Sequence, residues 1–232
     1  VAHIVVLTLA VVFVSLGFWQ LRRLDERRLT NMVGQARFEA EPTDVFDLLE
    51  GAGDDIGSLE YRRATVTGQF LPEDEVLIRS QVHQGVAGFH VITPLVGERG
   101  TILVNRGWVP LGLDQVPVVD APAPEGVVTV EGWLRPSQTR GALGPQDPPD
   151  GRLVTLNRVD IDRIEAQVPY QLAPIYLSML GEQEEGRPIL TAAPSFDDEG
   201  SHLAYAIQWF GFALVGVVGY IMLIRRNRRR ST

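Results

Sequence analysis

The chain has 232 residues, a formal net charge of −8, no cysteine, and no lysine, so all 21 of its basic residues are arginine. That excludes disulfides, thiolate catalysis, zinc ribbons and cysteine-held iron–sulfur clusters, and equally a P-loop or Schiff-base lysine. Charge is segregated: residues 225–232 carry five arginines and no acid, whereas 22–202 carry all 29 acids against 16 arginines, a net of −13 that speaks against nucleic-acid binding.

Residues 4–19 are uncharged and rich in Val, Leu and Phe. With Ala2, His3, Gln20 and Leu21 they are long enough to cross a bilayer, and 1–21 is read as a first transmembrane helix. The apolar run is long and "SLGFWQ" offers no small-x-small cleavage site, which argues against a cleaved signal peptide. Residues 22–40 continue it as a polar helix, with acids and arginines spaced for (i, i+3/i+4) pairing. Pro42 and "EGAGDDIG" (50–57) mark a loop.

Period-two alternation then predicts strands at 63–70, 75–81, 89–96, 101–109, 127–135 and 152–158, with a further candidate at 174–180. Residues 160–168 read as a short helix ended by Pro169, and 136–151 and 181–188 as exposed loops. Seven short strands and one helix suggest an antiparallel sheet closed into a small barrel or sandwich.

Residues 203–224 are again uncharged, and a helix of that length spans about 33 Å. Residues 225–232 form a basic tail, which the positive-inside rule holds in the cytoplasm. Both termini are then cytoplasmic and 22–202 is an extracytoplasmic domain. Arg22, Arg23, Arg27 and Arg28 would face outward, which a translocated loop of about 180 residues tolerates. The expected class is membrane α+β: two transmembrane helices flanking a mainly antiparallel, barrel- or sandwich-like β domain in the plasma membrane.

Within the domain no chemical motif stands out. There is no G-x-S-x-G elbow, H-E-x-x-H or Rossmann glycine run. His83 and His90 lack an acid cluster at metal-ligand spacing and read as packing or surface residues. Asp54/Asp55 and Asp197/Asp198 read as solvated loop carboxylates. No self-contained active site is expected, and the chain is read as a non-enzyme.

The polar mouth of the second span, "SHLAYAIQWF" (201–210), is harder to explain. His202, Tyr205, Trp209 and Phe212 or Ala213 are placed on one helical face, with Gln208 about 9 Å deeper than residue 202. Trp19 and Gln20 end the first span at the same depth. Tryptophan and tyrosine anchor helices at membrane interfaces, and a boundary histidine is often simply hydrated. A buried amide, however, needs a partner, and Gln20–Gln208 pairing would supply one. A neutral imidazole at the edge of the hydrocarbon, His202, is also a good axial ligand for haem iron, the less common of the two roles on residue chemistry alone.

Five segments, "LGFWQLRR" (16–23), "YRRATVTGQF" (61–70), "GFHVITPL" (88–95), "VNRGWVP" (104–110) and "HLAYAIQWF" (202–210), resemble the surfeit-locus family of cytochrome c oxidase assembly factors. The resemblance covers nearly the whole chain, in the family's order. It implies an assembly factor for the haem–copper oxidase that assists haem a delivery or insertion. It implies transient haem a as cofactor and oxidase subunits, above all the haem-bearing catalytic subunit, as partners. The family's proposed haem ligand corresponds to His202, and the tryptophan of its first span to Trp19. Tyr205 and Trp209 would then pack on the porphyrin, and Arg22 and Arg23 pair with its propionates. The lysine-free composition fits a high-GC bacterium such as an actinobacterium, whose fused respiratory supercomplexes suggest the alternative: a stably bound accessory subunit of a cytochrome bc–oxidase supercomplex, without haem of its own.

Overall fold

The computed structural model describes residues 2–141, 144–182 and 184–230. Within the expected loops at 136–151 and 181–188, positions 142, 143 and 183 lie outside the described residues, as do Val1 of the first span and Ser231 and Thr232 of the basic tail. The chain forms two compact units, Val1–Val33 with Ser195–Thr232, and Gly34–Pro194.

The first unit pairs two long helices. α1 (Ala2–Glu39) is unbroken from its apolar start through its polar continuation. Arg23 pairs with Glu26 one turn on at 3.0 Å, and the Thr30 hydroxyl donates to the Glu26 carbonyl. The restriction Pro42 places on the preceding backbone discourages any longer helix. α4 (His202–Arg230) carries the second apolar run and continues as helix through the arginines. Each is long and apolar enough to cross a membrane.

The helices meet along a seam of three- and four-residue steps. On α1 it runs through positions 3, 6, 10, 13, 17, 20 and 24, and on α4 through 202, 206, 210, 213, 217 and 220. Gly17 lies beneath Phe210, and a Cβ there would sit 2.5 Å from the ring. Ala206 and Ala213 are buried on the facing side. Small residues let helix backbones approach where lipid provides no hydrophobic drive, because packing is then the main source of attraction. Phe13 fills the middle, stacked on Trp209 with ring centroids 5.7 Å apart and tilted against Phe212 at 5.9 Å.

The second unit is a barrel-like sheet. Its strands are β1 (Thr43–Asp44), β2 (Arg63–Phe70), β3 (Val76–His83), β4 (Val86–Val96), β5 (Thr101–Pro110), β6 (Val127–Pro136), β7 (Thr155–Leu156) and β8 (Leu172–Met179). They lie in the order β1-β2-β6-β8-β5-β4-β3-β7. A second pairing, Gln69 with Val96 and Phe70 with Leu95, closes β2 onto β4. Gly68 permits that closure, since a Cβ there would overlap the Val96 carbonyl. Alternate residues of the five ringed strands, among them Val66, Leu95, Val104, Val130, Leu134 and Leu177, fill the interior. Antiparallel pairing dominates, but β1–β2, β5–β8 and β3–β7 are parallel.

Three local expectations are corrected. Residues 152–158 yield only the two-residue β7, because Asn157 is drawn to Asp147 by its backbone N–H and its side chain. The helix expected at 160–168 is confined to α3 (Ile161–Glu165), capped by the Asp160 carboxylate on the Arg163 N–H. The glycine-rich loop expected at 50–57 begins inside α2 (Val45–Ala52). Asp44 starts that helix by accepting from the N–H groups of Phe46 and Asp47, and Gly53, at φ 55°, ends it.

Candidate functional site

Polar side chains sit at both ends of the helix seam. At one end the Tyr220 hydroxyl and His3 Nδ1 are 2.7 Å apart. At the other, midway along α1 and at the start of α4, His202 Nδ1 lies 2.9 Å from Gln20 Oε1. An amide oxygen only accepts, so in this orientation of the Gln20 side chain the contact is a hydrogen bond when Nδ1 carries the proton. The expected Gln20–Gln208 pair is not formed. Gln208 lies six residues beyond His202, about 120° around the helix, and its side chain is exposed.

The segment before α4 is tied to the continuation of α1. Arg28 makes a two-pronged bridge to Glu199, Nε to Oε1 at 2.8 Å and Nη2 to Oε2 at 2.9 Å. Arg27 Nε and Asn31 Nδ2 donate to the Asp198 carbonyl at 3.3 and 3.0 Å. The Asp198 carboxylate accepts from the Gly200 N–H at 2.8 Å, shaping the turn. Arg28 holds the Glu199 carboxyl below its ordinary range, by hydrogen bonding first and by charge as well. His202 follows three residues later, so this latch sets where the imidazole enters the seam.

Beside His202 opens a groove of about 490 Å³, lined by Trp19, Arg23, Glu26, Arg27, Thr30 and His202. Positions 19, 23, 26, 27 and 30 share one face of α1, a periodicity visible in the sequence but not assembled there into a site. Arg23 lies over the Trp19 ring, 5.8 Å from its centroid. Of the expected site residues, the structure thus brings Trp19, Arg23 and His202 together, with Gln20 behind the imidazole. Arg22 is exposed and lines no part of the groove. Tyr205 is half exposed outside it, and Trp209 is committed to Phe13 deeper in the seam.

The sheet unit carries its polar residues differently. Glu75 and Arg106, both fully buried, meet at 2.5 Å. Thr93 donates to Glu75 at 2.6 Å and accepts from Arg106 Nε at 2.8 Å, and the Val118 N–H donates to the other carboxylate oxygen at 2.9 Å. Burial lowers the Arg106 pKa against the opposing pull of Glu75. Every strong donor and acceptor here is engaged, as a structural ion pair requires. His90, 3.4 Å from the Asn105 amide, is held neutral down to about 4, by burial first and then by Arg135. His83 packs on Trp108 with ring centroids 5.4 Å apart. A wider groove of about 810 Å³ runs past β2, but its arginine, Arg99, is already paired with Asp44, Asp47 and Glu50. Among the described residues no group of three or more His, Asp or Glu is gathered to hold a metal ion.

Two helices long and apolar enough to cross a membrane, one before and one after the barrel-like sheet domain in the chain, fit a two-pass membrane protein. The model of the SURF1 family matches residues 7–214, and the chain belongs to that family, known in general as cytochrome oxidase assembly factors. It is similar to a SURF1-like protein of Mycobacterium tuberculosis, 30% identical over 228 residues that cover 94% of this chain and 82% of the relative. A SURF1-like protein of Rickettsia felis is 28% identical over 232 residues, 97% of each chain. One of Monosiga brevicollis is 27% identical over 97% of this chain and 88% of its own.

Proposed function

We propose that this chain assists assembly of a haem–copper cytochrome c oxidase by holding haem a for delivery to the catalytic subunit. In this reading it sits in the plasma membrane with both termini cytoplasmic and the sheet domain outside. The observation that carries it is the groove beside His202: an imidazole, an indole face and two arginines meet in one place, with Glu26 on the same rim paired to Arg23 at 3.0 Å, a bridge a propionate would have to replace. That donor set suits one face of a haem, whose iron takes imidazole nitrogen as an axial ligand. His202 would supply that nitrogen, Trp19 a flat apolar wall, and Arg23 and Arg27 cations for the propionates. Haem a would contribute the iron centre. The chain's part is to bind and orient it, and no residue here is assigned a catalytic step. Tyr205 and Trp209 drop out of the proposed contact set, since one faces outward and the other packs in the seam.

Deleting the gene and recording reduced-minus-oxidised spectra of the membranes tests this role. The expected result is selective loss of the haem a band with b- and c-type bands kept. Normal haem a with normal oxidase activity would remove the chain from haem delivery and favour the accessory-subunit reading.

A further inference from the structure

We infer that Gln20 is the positioning residue of this site, fixing the tautomer and rotation of His202 so that Nε2 is the nitrogen offered to a ligand. The inference rests on the reading of His202 as a haem-iron ligand and adds what that reading lacks, namely which nitrogen is used and what holds it. An imidazole in water distributes its single proton between two nitrogens and turns freely about its side-chain bonds. Here one edge is spoken for: Gln20 Oε1 stands 2.9 Å from Nδ1, a contact that is a hydrogen bond only with the proton on Nδ1 and the lone pair on Nε2. The opposite edge is flanked by Gly200, which has no side chain and a φ of 69°. A Cβ at that position would press on His202 Cδ2 at 3.3 Å and lie in contact with Nε2 at 3.5 Å, covering part of that edge. Glycine therefore serves both the turn and the access.

The arrangement is that of a metal-ligating histidine before it meets its metal. Such residues characteristically donate their second N–H to an oxygen, which fixes the ring and raises its basicity. Gln20 comes from α1 and His202 from α4, so the site is preorganised only when the two helices are in register. The Arg28–Glu199 latch and the Gly17–Phe210 contact secure that register from either side.

The test begins without haem. The full chain, labelled with 15N-histidine and placed in lipid nanodiscs, is examined by NMR well above the imidazole titration. The His202 signals are identified by their loss in His202→Ala. The inference predicts a proton on Nδ1 in the wild type and its redistribution towards Nε2 in Gln20→Leu. A wild-type His202 protonated on Nε2 overturns it. Titration with ferric haem follows. Gln20→Leu is expected to weaken binding about 10- to 100-fold. Gln20→Glu, which keeps the acceptor and adds charge, should retain binding with a lowered haem reduction potential. Equal affinity in wild type and Gln20→Leu overturns the positioning role. If His202→Ala itself binds haem as the wild type does, the ligand reading has failed, and the NMR result separates that failure from a failure of the Gln20 inference.

Discussion

Phe210 lies directly across Gly17, its ring 2.5 Å from where a Cβ would stand. A side chain has no room at this point of the helix seam, one turn below the Gln20–His202 contact. Replacing Gly17 by leucine should force the helices apart, at a cost of about 1–3 kcal/mol for overpacking. Because the chain lacks cysteine, a single pair introduced as Ala10→Cys and Ala213→Cys, which line one crevice between the helices, reports the spacing. Oxidative cross-linking should fall in Gly17→Leu and recover in part when Phe210→Ala is added.

In the sheet unit the Glu75–Arg106 pair makes a different prediction. Removing one partner leaves the other charge buried, a loss of about 3–5 kcal/mol. Arg106→Leu or Glu75→Leu alone should therefore lower the denaturant midpoint sharply, followed through the fluorescence of Trp108 and Trp133. The double replacement should cost clearly less than the sum of the two, since neither charge is then stranded.

His90 sets a pH dependence. Its pKa is depressed to about 4 in the folded chain, chiefly by burial, and is near 6.5 when unfolded. Between those values the unfolded state binds a proton that the folded state does not, so stability falls as pH drops from about 6.5 to 4 and is flat above. The loss is on the order of 3 kcal/mol, about 1.4 for each pH unit between the two values. Unfolding measured at pH 7.5 and 4.5 should show it, and His90→Asn should flatten the profile.

The latch before α4 behaves oppositely in origin but alike in direction. Arg28 lowers the Glu199 pKa, so the bridge is present above the ordinary carboxylate range and is lost as pH falls through the lowered value. Both groups are exposed, and salt should weaken the contact. Arg28→Ala should raise hydrogen exchange at the amides of residues 200–203 and leave the barrel strands unchanged.

The helices and most strands were legible because their signals are local: uncharged runs of sufficient length, and strict alternation in "RATVTGQF". α2 was hidden because its glycine-rich end imitates a loop, whereas its start depends on a single Asp44 cap. β1 and β7, two residues each, exist through pairing with β2 and β3 and carry no periodicity of their own. The lining of the candidate groove was half legible. Trp19, Arg23 and His202 could be named from residue type and depth in the span. The partner of Gln20 could not, because helix rotation and the register of α1 against α4 decide it. The same rotation removes Gln208 and Tyr205 from the places assigned to them, and the role of Gly200 exists only once the imidazole is in position.

The most direct measurement purifies the full chain from cells that make haem a, as wild type and as His202→Ala, at matched yield and thermal stability. The account predicts haem a carried by the wild type, with the absorption of an imidazole-ligated iron, and loss of that signal in His202→Ala. Equal haem a in both proteins, or none in the wild type under conditions where the oxidase is being built, would contradict it.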